Sequence, residues 1–296
     1  MIITPDDIGT EIGKISPFVE HRILSDKLSY EPLSISAFHE YILEFVKRLN
    51  DDLVVAGEHR QEQWNQGWQE NLDEFRATGQ PEALIPKYHC KADIARLHRR
   101  IIRTYNPWFD YKLNSYFVDG ILFKYLPNAS RVIEIGCGTG YHLFRMQKYF
   151  PDLQYVGLDW AQSSQDIIAA VGLKNVTGQR FDYFHPADVN MRDAVVFTVA
   201  SLEQIHDQHG AFLDYILAQR PALVINFEPI TEVLDPNNLL DYLTIKYIQK
   251  RKYLKDYLTT LYGLQSQGKV NVERVIRLNY GSKFIEGHTC VIWEPA

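Results

Sequence analysis

The sequence predicts an α/β protein in which a helical N-terminal part precedes an open, mostly parallel sheet. Three observations predict it. Apolar residues recur at helical spacing through the first ~125 residues. From Arg131 onward, short β-rich runs alternate with helical stretches, the pattern of a parallel sheet covered on both faces. A glycine-rich turn joins the first of those runs to the helix after it.

Ser36 is expected to cap a first helix with Ile42, Phe45, Val46 and Leu49 on one face. A polar-rich helix from about Glu58 to Ala77 holds Trp64 and Trp68 one turn apart. Ile94, Leu97, Ile101 and Ile102 mark a third, which stops before Pro107, and a fourth runs from about Asp110 to Tyr125. The strands are expected at 131–135, 154–158, 176–180, 194–199 and 222–227, with helices near 141–149, 163–170 and 210–219. Asp235-Pro236 reads as the start of a long helix, Asp as cap and Pro in the first turn. Leu240, Leu243, Tyr247, Leu254, Leu258 and Leu261 form its buried face. Two strands close the chain at 270–278 and 288–293, joined by a loop with Gly281 and Gly287.

A chain of 296 residues, 46% hydrophobic and 23% charged, has room for one large domain of this kind with a helical addition. The expected division is 1–125 and 126–296. A net charge of −6 with no basic stripe excludes a surface built for phosphate backbones, so no nucleic-acid partner is expected. Lys250-Arg251-Lys252 is the densest basic run and reads as a solvated helix face. Three scattered cysteines, Cys90, Cys137 and Cys290, suit a reducing cytoplasm. Neither a signal peptide nor a membrane-spanning run is present, so a cytoplasmic location without a membrane partner is expected.

The central motif is Glu134-Ile135-Gly136-Cys137-Gly138-Thr139-Gly140, between the first strand and its helix. Glycines there let backbone N–H groups approach a ligand, and the following helix points its positive end at the same place. The spacing differs from the G-x-G-x-x-G of dinucleotide folds, because position 141 is tyrosine. Asp159 ends the second strand about twenty residues on, where a carboxylate can grip both ribose hydroxyls. Phe181-Asp182-Tyr183 follows the third strand.

The E-x-G-x-G-x-G pattern resembles motif I of class I S-adenosylmethionine-dependent methyltransferases. The resemblance covers about residues 130–296. It implies a Rossmann-like seven-stranded sheet of order 3-2-1-4-5-7-6, S-adenosyl-L-methionine as cofactor, and an N-terminal helical cap over the substrate. It implies that Glu134 helps hold the amino-acid end of the cofactor over Gly136, Cys137, Gly138 and Gly140. It implies ribose contacts at Asp159, an adenine-amino contact at Asp182, and apolar cover from Phe181. Trp160 lies on the adenine or in the core. Ser201, at the end of the fourth strand, joins the cofactor set. More narrowly, the Trp64/Trp68 helix and the segment 238–254 resemble sugar O-methyltransferases of polysaccharide gene clusters.

Methyl transfer needs an in-line acceptor, exclusion of water and, for a hydroxyl, a nearby base. The strand ends offer Glu203, His206 and Glu228 as catalytic candidates. His206 has the right ordinary pKa for a base; its bland alternative is the surface of the next helix. Glu228, before Pro229, is expected at the crevice rim as an acceptor for a substrate hydroxyl. His142 starts the helix after the glycine turn, where it could reach the cofactor; a helix-end surface position is the expectation. The N/D-P-P-Y type motif of amino-group enzymes is absent after the fourth strand, which favours oxygen over nitrogen. No metal is expected: Glu203, His206, His209 and Glu228 do not share one helical face, and His89, Cys90 and His98 are too loosely spaced. Trp64, Trp68, Tyr88, Trp108, Tyr111 and Tyr116 are pocket-wall candidates, or core. The expected activity is O-methylation of a sugar or other polar small molecule, with a homodimer left open. The alternatives are an amine, protein or peptide methyltransferase, a non-enzymatic cofactor-binding scaffold, and a nicotinamide-dependent dehydrogenase.

Overall fold

The computed structural model describes residues 1–89, 93–186 and 188–296. The N-terminal part holds α1 (Pro5–Ile12), α2 (Pro17–Asp26), β1 (Tyr30–Pro32), α3 (Ile35–Asn50), α4 (Gln61–Thr78), β2 (Ile94–Leu97), β3 (Arg100–Thr104) and α5 (Phe109–Tyr125). There follow β4 (Arg131–Ile135), α6 (Tyr141–Tyr149), β5 (Gln154–Asp159), α7 (Gln162–Val171), β6 (Val176–Arg180), β7 (Val195–Val199), α8 (Gly210–Gln219) and β8 (Leu223–Glu228). The chain ends with α9 (Leu239–Arg251), α10 (Tyr257–Ser266), β9 (Val270–Arg277), β10 (Tyr280–Gly281) and β11 (Thr289–Pro295).

The main sheet has the order β6-β5-β4-β7-β8-β11-β9. Counted from β4, this is the 3-2-1-4-5-7-6 order that the resemblance implies. Every pairing from β6 to β8 is parallel, and β11 runs antiparallel to both β8 and β9. Side chains alternate across it, as the pleat demands. Val132, Tyr155, Phe197 and Ile225 pack on one face with α5, α6 and α7. Ile133, Val156, Val196 and Val224 pack on the other with α8 and α10. Both faces are covered, which is why these strands read as near-continuous apolar runs.

Three elements differ from expectation. The segment of Ile94 and Ile102 is a hairpin, not a helix: β2 pairs antiparallel with β3 across His98 and Arg99, both left-handed at φ +49° and +61°. Two such residues form the tight turn whose twist suits a hairpin. His98 is held there by Asp7, 2.9 Å away. The N-terminal part therefore carries its own antiparallel sheet, β1-β3-β2-β10, whose last strand comes from the loop between β9 and β11. The long helix expected after Asp235 is two helices. α9 is capped by Asn238, whose side chain accepts from Leu240 and Asp241, and it stops at Lys252, which is left-handed at φ +50°. Ser34, not Ser36, caps α3, accepting from the Ala37 N–H at 3.2 Å.

One buried carboxylate ties these parts together. Asp241 of α9 receives both terminal nitrogens of Arg277 on β9, at 2.9 and 2.7 Å. It also faces Arg99 in the hairpin turn at 3.4 Å and accepts from the Asp235 N–H at 2.9 Å. Burial alone would push its pKa up; the Arg277 hydrogen bonds, the Asp235 N–H and the two guanidinium charges outweigh that and hold it below the ordinary value. Asp241→Ala strips Arg277 of its bidentate partner while Glu286 still pairs with it. The expected cost is about 3 kcal/mol, the low end for breaking a buried pair. Urea unfolding of the variant checks this; a cost under about 1 kcal/mol, the scale of a surface pair, would overturn it.

Candidate functional site

The glycine turn is built by close approach. Gly136 and Gly138 have φ of +75° and +53°, which side chains with a Cβ rarely adopt. A Cβ on Gly136 would overlap the Ser201 side chain, standing 2.6 Å from its Oγ; one on Gly138 would stand 2.9 Å from the Trp68 ring. The Gly136 and Cys137 N–H groups donate to the Leu158 carbonyl at 2.7 and 3.0 Å, and the Gly138 N–H donates to Asp159 at 2.9 Å. The turn thus links the ends of β4, β5 and β7. Ser201 and Tyr183 both donate to the Ile135 carbonyl, each at 2.9 Å.

A cavity of about 330 Å³ opens at these strand ends, beneath α4. Of the expected residues, Glu134, Gly136, Cys137, Gly138, Asp159, Trp160, Phe181, Ser201 and Glu203 all line it. Trp64, Trp68 and Tyr88 line it too, whereas Tyr116 is in the core and Trp108 is at the surface. Gly140 sits behind the wall, against Phe144 and Ile168. Asp182 is off the wall, accepting from Gln61 of α4 at 2.8 Å and from the Phe184 N–H at 2.9 Å.

Two catalytic candidates stand elsewhere. Glu228 is not at the crevice rim. It is fully buried, and its carboxylate accepts the N–H groups of Ser201, Leu202 and Glu203 at 3.1, 3.0 and 3.3 Å. These donors open a short 3₁₀ turn inside the protein and have no backbone partner, so a carboxylate must take them up. Burial pushes Glu228 up to about 7, with the three N–H groups opposing. His206 does not line the main cavity; its Nδ1 donates to the Tyr253 carbonyl at 2.8 Å, and it faces a second cavity with Gly57 and His59. His209 donates to the Lys255 carbonyl at 2.9 Å. Among the described residues no group of three or more His, Cys, Asp or Glu converges as a metal site, and Cys90 lies outside the described residues.

Three carboxylates on the wall are shifted toward neutrality. Asp159 is pushed up to about 6 by burial, with the N–H groups of Ala161 and Gly138 pulling back. Glu134 is pushed well above its ordinary value by burial, with Arg145 pulling back and Asp159 adding to the rise. Its Oε1 meets His142 Nδ1 at 2.6 Å, while Oε2 is buried without a partner. His142 is therefore not a surface residue: it is 4% exposed, and burial pushes its pKa well down. Glu203 is half-buried, with its open side on the cavity. Burial and then the Glu228 charge push it up to about 8, against Arg251 and Arg60.

Arg60, Arg251, Gln204 and Tyr253 also line the cavity and were not expected there. Arg251 belongs to the basic run taken as a solvated face, yet only its neighbour Lys252 is exposed. The alternation of lysine and arginine carries no mark of which one turns inward. The break of the helix at Lys252, which decides it, has no glycine or proline to announce it.

No protein-family model matches the sequence, and no curated protein matches it. Among solved structures, the chain is similar to a SAM dependent methyltransferase from Aquifex aeolicus, with 16% identity over 60% of this chain and 88% of that chain and a TM-score of 0.43. It is similar to an O-methyltransferase from neocarzinostatin biosynthesis, solved with S-adenosylmethionine and 2-hydroxy-5-methyl naphthoic acid, with 16% identity over 79% and 70% and a TM-score of 0.45. It is also similar to human N-acetylserotonin methyltransferase in complex with SAM, with 13% identity over 62% and 56% and a TM-score of 0.41.

Gly136→Ala tests the close approach on which the site is built. The added methyl meets Ser201 at a φ of +75°, and the expected cost is about 1–3 kcal/mol. Chemical unfolding reads it; an unchanged midpoint would mean that the turn yields freely.

Proposed function

We propose that this chain is an S-adenosylmethionine-dependent methyltransferase acting on a small molecule, at a hydroxyl oxygen of a sugar or other polar biosynthetic intermediate. One observation carries the reading. A single cavity joins a nucleoside-shaped set of groups at the glycine turn to a carboxylate of raised pKa at the next strand end.

The residues present suit such a cofactor. Asp159 stands at the end of β5, where its carboxylate can take both ribose hydroxyls; Trp160 and Phe181 offer apolar faces to the adenine. The unpartnered Glu134 Oε2 is a buried acceptor in need of a donor, and the α-ammonium of the amino-acid end supplies one. The space kept free at Gly136 and Gly138 leaves the backbone bare beneath it. Bound there, S-adenosylmethionine would supply an electrophilic methyl group to the acceptor oxygen, with the sulfonium sulfur as leaving group.

The chain's own residues do the rest. Glu203 accepts the proton that the acceptor hydroxyl loses, which its raised pKa favours. Gln204 steadies it, donating to Glu203 Oε1 at 3.1 Å. Trp64 and Trp68 of α4 roof the cavity, exclude water, and make residues 1–125 a cap over the reactants. A roofed cavity speaks for a small acceptor rather than a protein chain, which needs an open groove.

Two outcomes follow. Asp159→Asn keeps a side-chain oxygen but loses the charge that grips the ribose. It should weaken S-adenosylhomocysteine binding by at least about tenfold in calorimetry, given about 1.5–3 kcal/mol for a hydrogen bond to a charged group. Unchanged affinity with retained circular dichroism would sink the ribose assignment. For Glu203, the base form is the deprotonated one, and a raised pKa means that it is scarce below about pH 8. The value of kcat/KM should climb as pH rises through that point and level off above it. Glu203→Gln should flatten the climb and lower kcat by about 10²–10⁴-fold; a profile of the same shape in both proteins would rule Glu203 out as the base.

A further inference from the structure

Among the described residues, two guanidiniums face the cavity and neither is in a salt bridge with a carboxylate. Arg60, just before α4, is 8% exposed. It donates to Gln204 Oε1 and Gln63 Oε1, each at 3.1 Å, and lies over the Trp64 ring at 4.9 Å. Arg251, the last residue of α9, donates to the Tyr247 hydroxyl at 3.1 Å and lies over the Tyr253 ring at 4.8 Å. Its Nε is buried without a partner. Other arginines in the interior are paired: Arg145 with Asp119, and Arg277 with Asp241 and Glu286. Arg96 is held by Thr244 and Tyr41 and does not line this cavity. Guanidiniums stay charged, and a desolvated one without a counter-charge is costly.

We propose that the methyl acceptor is an acid, and that its carboxylate or phosphate is held between Arg60 and Arg251 while its hydroxyl faces Glu203. This rests on the methyltransferase reading above and adds the acceptor's charge to it. The charge balance asks for such a group. Two guanidiniums stand against one carboxylate, Glu203, so positive charge is in excess there whichever form Glu203 takes, and an acid group on the acceptor offsets it. Both arginines are held by neutral amides, hydroxyls and aromatic faces, which orient them without neutralising them. The two guanidiniums belong to the acceptor end of the cavity: Glu203 feels Arg251 and Arg60, whereas the main charges on Glu134 are Arg145 and Asp159. Carboxylate and phosphate share the planar or tetrahedral oxygens that a guanidinium fork binds in pairs.

The test is calorimetry on the full-length protein, with and without S-adenosylhomocysteine, using glucuronate, glucose 6-phosphate and glucose as probes. At least one acid should bind about tenfold or more tightly than glucose, the scale of one charge-assisted hydrogen bond. Which acid prevails tells carboxylate from phosphate. The double variant Arg60→Gln/Arg251→Gln should lose the preference while keeping its affinity for S-adenosylhomocysteine within about twofold. The charge-retaining Arg60→Lys/Arg251→Lys should keep part of the preference, which separates loss of charge from loss of fold. Equal binding of glucose and the acids, including no measurable binding of any, overturns the proposal. So does a preference that survives in the double Gln variant, or a double Gln variant that loses S-adenosylhomocysteine, which would give the guanidiniums to the cofactor. If the unaltered protein does not bind S-adenosylhomocysteine, the methyltransferase reading fails instead, and the titrations without it still decide whether the arginines hold an acid.

Discussion

A side chain at position 136 would occupy the space of Ser201, and the site depends on that space being left to serine. Because β4 and β7 are neighbours in the sheet, their exits would diverge if each carried a bulky residue. With glycine on one side, Ser201 and Tyr183 both reach the last carbonyl of β4. The segment after β7 is then drawn over the glycine turn, and its free N–H groups fall on Glu228. Only with that segment so placed does Glu203 look into the cavity rather than out to water. A buried acid off the cavity wall thus positions one on it.

The protein treats its buried carboxylates in two ways, and the contrast separates scaffold from site. Asp119 and Asp241 each hold two guanidiniums, and in Asp241 these outweigh burial. The cavity wall has the opposite arrangement. Glu134 and Asp159 are buried and Glu203 is half-buried, with backbone amides, a histidine or a glutamine as hydrogen-bond partners, and burial wins in all three. An acid already satisfied by arginine has little to offer a ligand. One held short of a full partner set keeps its lone pairs for one.

The sheet was legible because its strands are buried on both faces and its helices on one, so the period changes cleanly at each boundary. The glycine turn was legible because a backbone shape that only glycine adopts freely leaves a mark in the composition. The hairpin of Ile94 and Ile102 was not. Four apolar residues at positions 94, 97, 101 and 102 fit a helix face as well as two paired strands, and the turn uses His98 and Arg99 in place of the glycine or asparagine that would have declared it. Glu228 and His142 were misplaced for a related reason. Charged and titratable side chains read as surface by default, and what takes them inside is orphan N–H groups and a facing acid, both products of the tertiary fold. Arg60 and Arg251 are nearly two hundred residues apart in sequence, and no local pattern says that they meet.

That separation bears on why the two parts of the chain are fused so closely. Arg60 comes from the N-terminal part and Arg251 from a helix beyond the parallel strands, while Glu203 comes from the segment after β7. None of the three elements lines the cavity alone. The fourth strand of the N-terminal part's sheet is lent by the β9–β11 loop, and the Phe117 ring of α5 stacks on Tyr280 of that strand at 4.5 Å. One apolar cluster runs from Ile8 and Val19 through α5 to Val132 and Phe197 of the main sheet. An N-terminal part hinged on a loose linker would lose binding free energy to ordering itself each time a ligand arrived. Here the core that stabilises the fold also holds both guanidiniums in place, so that end of the cavity is organised before anything enters it.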